Sequence, residues 1–226
     1  LTTLCIVASY LGWVSAQIKA LGLIFNVVTD GFVSQTTGMI LGAAIVLTYT
    51  TFGGMLSVAI LDFVQMGVIM GGMLYIGYLV SGLTGGVELV INHASTAGKL
   101  EFFPPPDPWQ WLTFLGAWIT MMLGSIPQQD VFQRITSART ATIAIWGSIL
   151  GGSIYFCFTF VPMFIVAAAV VVMGDSTMDI ARNDYQRLLP TFIMTKMPLV
   201  MQILFFGALL SAIKSTSSAT LLAPST

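Results

Sequence analysis

Charged residues are scarce in this sequence, and their scarcity excludes most soluble folds. Asp, Glu, Lys and Arg make up 8% of the 226 residues, whereas hydrophobic residues make up 56%. A soluble domain carries roughly 25% charged residues. The composition therefore predicts an all-α, polytopic membrane helix bundle surrounded by membrane lipid. The formal net charge of −1 supplies no basic patch, so we do not expect a nucleic-acid partner.

Cysteine and the residues of catalytic motifs are also sparse. The two cysteines, Cys5 and Cys157, both lie in apolar runs, which is typical of small buried hydrophobic residues rather than of a disulfide framework. The chain has no glycine-rich phosphate loop, no His/Cys metal spacing and no set of nucleophile, base and orienting residue. We therefore expect a protein that is not an enzyme and has no catalytic residues.

Long apolar runs predict about six membrane spans, each able to cross about 30 Å of hydrocarbon. The predicted spans cover residues 3–27, 38–52, 55–81, 109–127, 142–173 and 199–222, each to within a few residues. The apolar run 39–80 is too long for one crossing, so Gly53 and Gly54 are expected to form a tight turn inside it. Arg134 and Arg139 follow the fourth span, and the positive-inside rule makes their loop cytoplasmic. Because the sequence begins and ends beside apolar runs, we expect residues 1–226 to be one membrane domain within a longer protein.

Two charged residues, Asp62 and Lys214, interrupt the predicted spans. A charge at membrane depth costs roughly 3 kcal/mol on insertion scales, and such residues usually mark ion or proton pathways. At 1.5 Å per residue, Asp62 lies about 10 Å and Lys214 about 8 Å from the cytoplasmic side of their spans. The shared depth raises the hypothesis that the two charges pair with each other.

The sixth span carries a polar face around Lys214. Ala212, Ser215 and Thr216 share one face of the helix, because residues three and four apart are neighbours. An overlapping stripe contains Ser211, Lys214, Ser215 and Ser218. Hydroxyl and carbonyl oxygens suit a hard cation such as Na⁺. The alternative is structural, since Ser and Thr in membrane helices also bond to carbonyls of their own helix or to neighbouring helices.

A second candidate site follows the fourth span. Gly124 and Pro127 would break that helix and free backbone groups for a ligand. Gln128, Gln129 and Asp130 come next and are the candidate substrate contacts, because transporters commonly bind substrate at discontinuous helices. The alternative is a proline kink followed by a polar helix end.

Three Gly-x-x-x-Gly motifs predict close helix packing without chemistry. They are Gly38 with Gly42, Gly67 with Gly71, and Gly147 with Gly151.

Taken together, these segments resemble the sodium/solute symporter family, which carries proline, pantothenate, sialic acid, sugars and choline. Residues 51–58 (TFGGMLSV) and 61–65 (LDFVQ) are similar to the family pattern of a glycine pair followed by Thr-Asp-x-x-Gln. The segment 127–134 resembles its Gln-Arg segment and is nearest to the choline branch. The segment 212–216 (AIKST) resembles its Ala-x-x-Ser-Thr sodium segment.

The resemblance implies a leucine-transporter-type inverted-repeat core of ten helices, of which this chain would hold core helices three to eight. It also implies sodium ligands at the carbonyl of Ala212 and at Ser215 and Thr216. Asp62 and Ser218 would lie on the sodium exit route or at a second sodium site. The missing helices of the same chain would complete the substrate cavity, and no metal other than sodium is expected.

Two departures from the family pattern leave alternatives open. Leu61 replaces the usual threonine before Asp62, and Lys214 replaces an apolar residue between the sodium ligands. The leading expectation is secondary active transport, with Na⁺ as the coupling ion and a small organic solute, in a plasma or bacterial inner membrane. The alternatives are a proton-coupled or sodium-independent carrier in which Lys214 replaces a cation, and a transporter-like sensor module.

Overall fold

The protein is mostly helical in the part of the chain that its computed structural model describes, residues 2–124, 128–174 and 176–222. In chain order the helices are α1 Thr2–Val28, α2 Gln35–Leu83, α3 Val87–Thr96, α4 Pro108–Gly124, α5 Gln129–Thr136, α6 Ala141–Met173, α7 Ser176–Asp184, α8 Leu188–Lys196 and α9 Leu199–Leu222. A single 3₁₀ turn, Tyr185–Arg187, joins α7 to α8. These ranges contain no strand, which confirms the expected all-α class.

Local sequence signals explain where the long helices begin and end. Ser34 precedes α2 in an extended conformation, and its hydroxyl accepts a hydrogen bond from the Thr37 backbone N–H at 3.1 Å. Thr140 caps α6 in the same way by accepting from Ile143 at 3.3 Å. Each cap satisfies one of the backbone donors that a helix start leaves without a partner. Gly174 ends α6 with a φ of 54°, a left-handed backbone that glycine adopts without a side-chain clash.

The predicted turn at Gly53 and Gly54 is wrong. The backbone stays helical through both residues, so α2 is one helix of 49 residues and about 73 Å. Glycine permits a turn but does not require one, because its cost inside a helix is only about 1 kcal/mol per residue. Within α2, the stretch Asp62–Leu83 is long and apolar enough to cross a membrane.

Four of the predicted spans are confirmed in the described residues. Helical stretches with the length and hydropathy of a membrane span are Val7–Val28, Asp62–Leu83, Ala141–Met173 and Leu199–Leu221. Two of the six predicted spans are not among them. The second span is continuous with the third within α2. The helix of the fourth span, α4, has 17 residues and is about 26 Å long, which is shorter than about 30 Å of hydrocarbon.

The core forms where α1, α2 and α9 pack against one another, with α6 against α2 and α8 against α6 and α9. The fully buried side chains of this core include Ile76, Val80, Ile165, Phe192 and Ile193. The other region of the molecule, α4 and the first half of α6, has no buried residue. Its exposed side chains are largely apolar, as expected for a surface that faces lipid. Cys5 and Cys157 are free as expected, but both are exposed rather than buried.

Glycine contacts hold α1 and α2 close together. A Cβ at Gly38 would lie 2.9 Å from Phe25 Cβ and 3.1 Å from Gly22 Cα, and a Cβ at Gly42 would lie 2.8 Å from Leu21 Cβ. The packing role predicted for the first motif is therefore confirmed. It is not confirmed for the other two motifs, because a Cβ at any of their glycines would meet no atom within 4 Å.

Candidate functional site

Three helices meet at the carboxylate of Asp62, which lies in α2 with 23% of its side chain exposed. The hydroxyl of Ser215 in α9 donates a hydrogen bond to Oδ1 of this carboxylate. The Nη2 atom of Arg134 in α5 lies 3.4 Å from Oδ2. We call Asp62, Arg134 and Ser215 the Asp62 cluster. Its contacts join residues that are 72 and 153 positions apart in the sequence, so only the tertiary fold brings them together.

The other predicted sodium ligands lie within one turn of Ser215 on α9. The hydroxyl of Thr216 donates to the carbonyl of Ala212 at 3.0 Å, so these two oxygen atoms are adjacent. Ser218 is fully buried and donates to the carbonyl of Ser215 at 3.0 Å. A hydroxyl that donates to a carbonyl keeps lone pairs that can accept a cation. Helix α9 therefore carries several oxygen atoms within one turn of Ser215, whose hydroxyl contacts the half-buried carboxylate of Asp62.

Two further hydroxyls of α9 have a structural role. Ser217 is buried and donates to the Ile213 carbonyl at 2.7 Å. Thr220 is also buried and donates to the carbonyls of Thr216 and Ser217 at 3.0 and 2.8 Å. Both bond to their own helix, as membrane helices commonly do. The polar face of α9 thus serves packing at Ser217 and Thr220, whereas Ser215 contacts another helix.

Lys214 does not pair with Asp62, so the hypothesis of a charge pair between them is wrong. Its ammonium lies over the ring of Tyr49, 3.5 Å from the ring centroid. Residues 49 and 62 are separated by about 20 Å along α2, so one ammonium cannot reach both. Residues 214 and 215 also differ by about 100° around α9, which turns them toward different neighbours.

Among the side chains that the structure describes, which do not include Asp130, no carboxylate forms an ion pair with Lys214. The contact with Tyr49 is worth about 0.5–2 kcal/mol. That is less than the roughly 3 kcal/mol that a lysine at membrane depth costs. The charge of Lys214 is therefore only partly compensated by the helices around it.

A cavity of about 290 Å³, which the Lys214 side chain helps to line, lies between α1, α2 and α9. It is lined by Leu21, Phe25, Gly42, Ile45, Val46, Gly207, Leu210, Ser211 and Lys214. We call it the Lys214 pocket. Ser211 and Lys214 provide its polar side chains, and the remaining lining is apolar.

The candidate substrate contacts lie at the start of α5. Gln128 is exposed and Gln129 is half-buried, and α5 also carries Arg134. The side chain of Asp130 and the predicted helix break at 125–127 lie outside the described residues. The structure thus places Gln129 on the helix that reaches Asp62 and Gln128 at its N-cap, and their role stays a prediction.

Sequence reasoning missed the roles of Arg134 and Tyr49. Arg134 served to orient the chain in the membrane and as part of the segment that resembles the family, and Tyr49 was not singled out. Their contacts depend on how α5 and α2 cross α9, which periodicity within one helix does not reveal. One signal was present: a charge at membrane depth needs a partner, and Arg134 and Tyr49 supply partners for Asp62 and Lys214.

These features define an integral membrane protein with polar contacts between its spanning helices. The chain belongs to the sodium:solute symporter family, whose model matches residues 1–226. It is 27% identical to the human high affinity choline transporter 1, over 94% of this chain and 37% of that protein. It is 28% identical to the Torpedo marmorata high-affinity choline transporter 1 over the same shares, and 24% identical to the Drosophila melanogaster protein over 93% of this chain and 34% of that protein. The chain spans just over a third of the length of these relatives. No solved structure matches it.

Proposed function

We propose that this chain is the central part of a sodium-coupled symporter for a small organic solute. It would contribute core helices three to eight of a longer transporter in a plasma or bacterial inner membrane. Family membership supports the class of protein. The observation that carries the site is the hydrogen bond from Ser215 to Asp62, because it joins the hydroxyl face of α9 to an anionic group.

Sodium would bind at the Ala212 carbonyl and the hydroxyls of Ser215 and Thr216. The adjacent oxygen atoms of Ala212 and Thr216, 3.0 Å apart, support this ligand set. Oxygen ligands are the ones that hard cations prefer, and helices missing from this chain would supply the rest. Sodium that leaves the site would pass Asp62, whose carboxylate attracts it and whose second oxygen faces Arg134.

Coupling would follow from linkage between sodium and solute. If both bind best to the same state of the transporter, each raises the affinity of the other by the same factor. The membrane potential adds about 2.3 kcal/mol per charge for each 100 mV. We place the solute near Gln128, Gln129 and Asp130, at the helix that follows α4.

The test is to remove single hydroxyls from α9 in the full-length transporter. Ser215→Ala and Thr216→Ala are each expected to weaken sodium activation of uptake about tenfold, because losing a polar partner costs about 1–3 kcal/mol. Ser217→Ala is the matched control. It removes a buried hydroxyl from the same helix, and this hydroxyl bonds only to the Ile213 carbonyl. Sodium activation should be unchanged in the control. If all three variants retain normal sodium dependence, the proposed site is wrong.

A further inference from the structure

Lys214 carries a charge that the proposed sodium mechanism does not use. Its ammonium lies over Tyr49. The Lys214 side chain also lines a mostly apolar pocket together with Ser211. In the described part of the chain no carboxylate pairs with Lys214. A half-exposed cation beside a cavity, with one aromatic contact and no anion, leaves room for an anionic ligand.

We infer that the Lys214 pocket binds a small carboxylate with an apolar tail. The carboxylate would pair with the ammonium of Lys214 and accept a hydrogen bond from Ser211. The tail would lie against Leu21, Phe25 and Val46, which line the rest of the cavity. This site goes beyond the proposed symport function, because it does not involve the sodium ligands or Gln128.

The size of the pocket limits the ligand. A volume of about 290 Å³ lies at the lower end of the range for small-molecule pockets, about 300–1,000 Å³. An acid of about eight to ten non-hydrogen atoms is therefore the expected size, whereas a long-chain fatty acid would leave much of its tail outside the cavity. The pocket is open to the ligand at Ile45 and Gly207, which are both exposed.

The charge of the pocket decides which head group it accepts. An ammonium within a few ångströms favours an anion and disfavours a cation, because the low-dielectric surroundings strengthen both interactions. The ring of Tyr49 would attract a cationic ligand in another protein, but here it already faces Lys214. A quaternary amine such as choline is therefore a poor ligand for this pocket.

Three probes with one tail test the inference in the full-length protein, held in nanodiscs of phosphatidylcholine. Hexanoate, hexanamide and hexylammonium differ in the charge of the head group, and binding is measured by calorimetry. Hexanoate should bind at least tenfold more tightly than hexanamide, and hexylammonium should not bind. Oleate, a lipid-sized acid, should bind more weakly than hexanoate. Equal binding of the three hexyl probes, no binding of hexanoate, or tighter binding of oleate would overturn the inference.

Two substitutions with matched controls locate the site. Lys214→Met should weaken hexanoate at least tenfold, whereas Lys19→Met, at an exposed lysine of α1, should not. Gly207→Leu should fill the pocket and abolish binding, whereas Gly147→Leu in α6 should not. A Cβ at either glycine meets no atom within 4 Å, so both leucine variants are expected to fold. Unchanged hexanoate binding in Lys214→Met or Gly207→Leu would overturn the inference. Hexanoate would then bind at another site, as expected if a carboxylate from another helix already pairs with Lys214.

Discussion

The Asp62 cluster and the Lys214 pocket include consecutive residues of α9, Ser215 and Lys214. They differ in how the charged side chain is compensated by its neighbours. Asp62 has a cation and a hydroxyl beside it, so its charge is balanced by α5 and α9. Lys214 has an aromatic ring and an apolar cavity beside it. Because neighbouring helix positions point about 100° apart, one helix can line two unlike sites. The comparison suggests one region suited to a cation and another suited to an anion.

Replacement of Asp62 should have the largest effect on sodium activation of uptake, and it should leave the Lys214 pocket unchanged. Asp62→Ala removes the acceptor of Ser215 and leaves Arg134 unpaired, so sodium activation should weaken by about 1.5–3 kcal/mol, the range for hydrogen bonds to charged groups. That is roughly 10- to 150-fold. Uptake at varied sodium concentration measures it.

If the Asp62 cluster and the Lys214 pocket are separate sites, hexanoate binding should stay normal in Asp62→Ala. Glu101→Ala, at an exposed loop acid, is the control and should change neither measurement. An equal loss of sodium activation and hexanoate binding would mean that the two regions form a single site.

A substitution in the contact between α1 and α2 should affect the Lys214 pocket and leave the Asp62 cluster unchanged. Its effect should be smaller than that of Asp62→Ala. In Gly38→Ala the new methyl meets Phe25 and the backbone of Gly22, at 2.9 and 3.1 Å. Overpacking of this kind costs about 1–3 kcal/mol, and Phe25 also lines the Lys214 pocket. Thermal unfolding in detergent should therefore show a loss of stability, and hexanoate binding should weaken severalfold with little change in sodium activation.

Gly71→Ala is the matched control on the same helix. Its methyl meets no atom within 4 Å, and alanine favours a helix over glycine by up to about 1 kcal/mol. Stability should be equal or higher. A similar loss of stability in both variants would show that α1 and α2 do not depend on this contact.

Removal of the charge on Arg134 should give the smallest effect. Its side chain is 55% exposed, so the ion pair with Asp62 is worth at most about 1 kcal/mol in water. Arg134→Gln should therefore strengthen sodium activation about two- to threefold, since the carboxylate loses a competing cation. The difference should shrink at high ionic strength, because salt screens exposed charges.

Arg139→Gln, in the turn that follows α5, provides the comparison and should not alter sodium activation. A double-mutant cycle with Asp62→Ala isolates the interaction between Arg134 and Asp62. Additive effects in that cycle would show that the two residues act independently of each other.

Sequence reasoning found the sodium candidates but not their neighbours. Ser215, Thr216 and Asp62 stand out because polar groups at membrane depth are costly unless they have partners or bind a ligand. That argument requires no knowledge of the fold. The partner of Asp62 could not be derived, because depth in the membrane leaves the rotation of each helix undetermined. The glycines show the same limit: Gly38 and Gly67 begin identical motifs, yet only the first contacts another helix.

The sequence by itself determined that this is an all-α membrane protein, because 8% charge and long apolar runs allow little else. Its residue patterns also indicated the family and the polar face of α9. The tertiary structure decided that Asp62 meets Arg134 and Ser215 and that Lys214 meets Tyr49. The physical reason is that composition and periodicity determine which residues lie on each face of a helix. Which of these residues contact another helix depends on how the helices cross and how far their side chains extend.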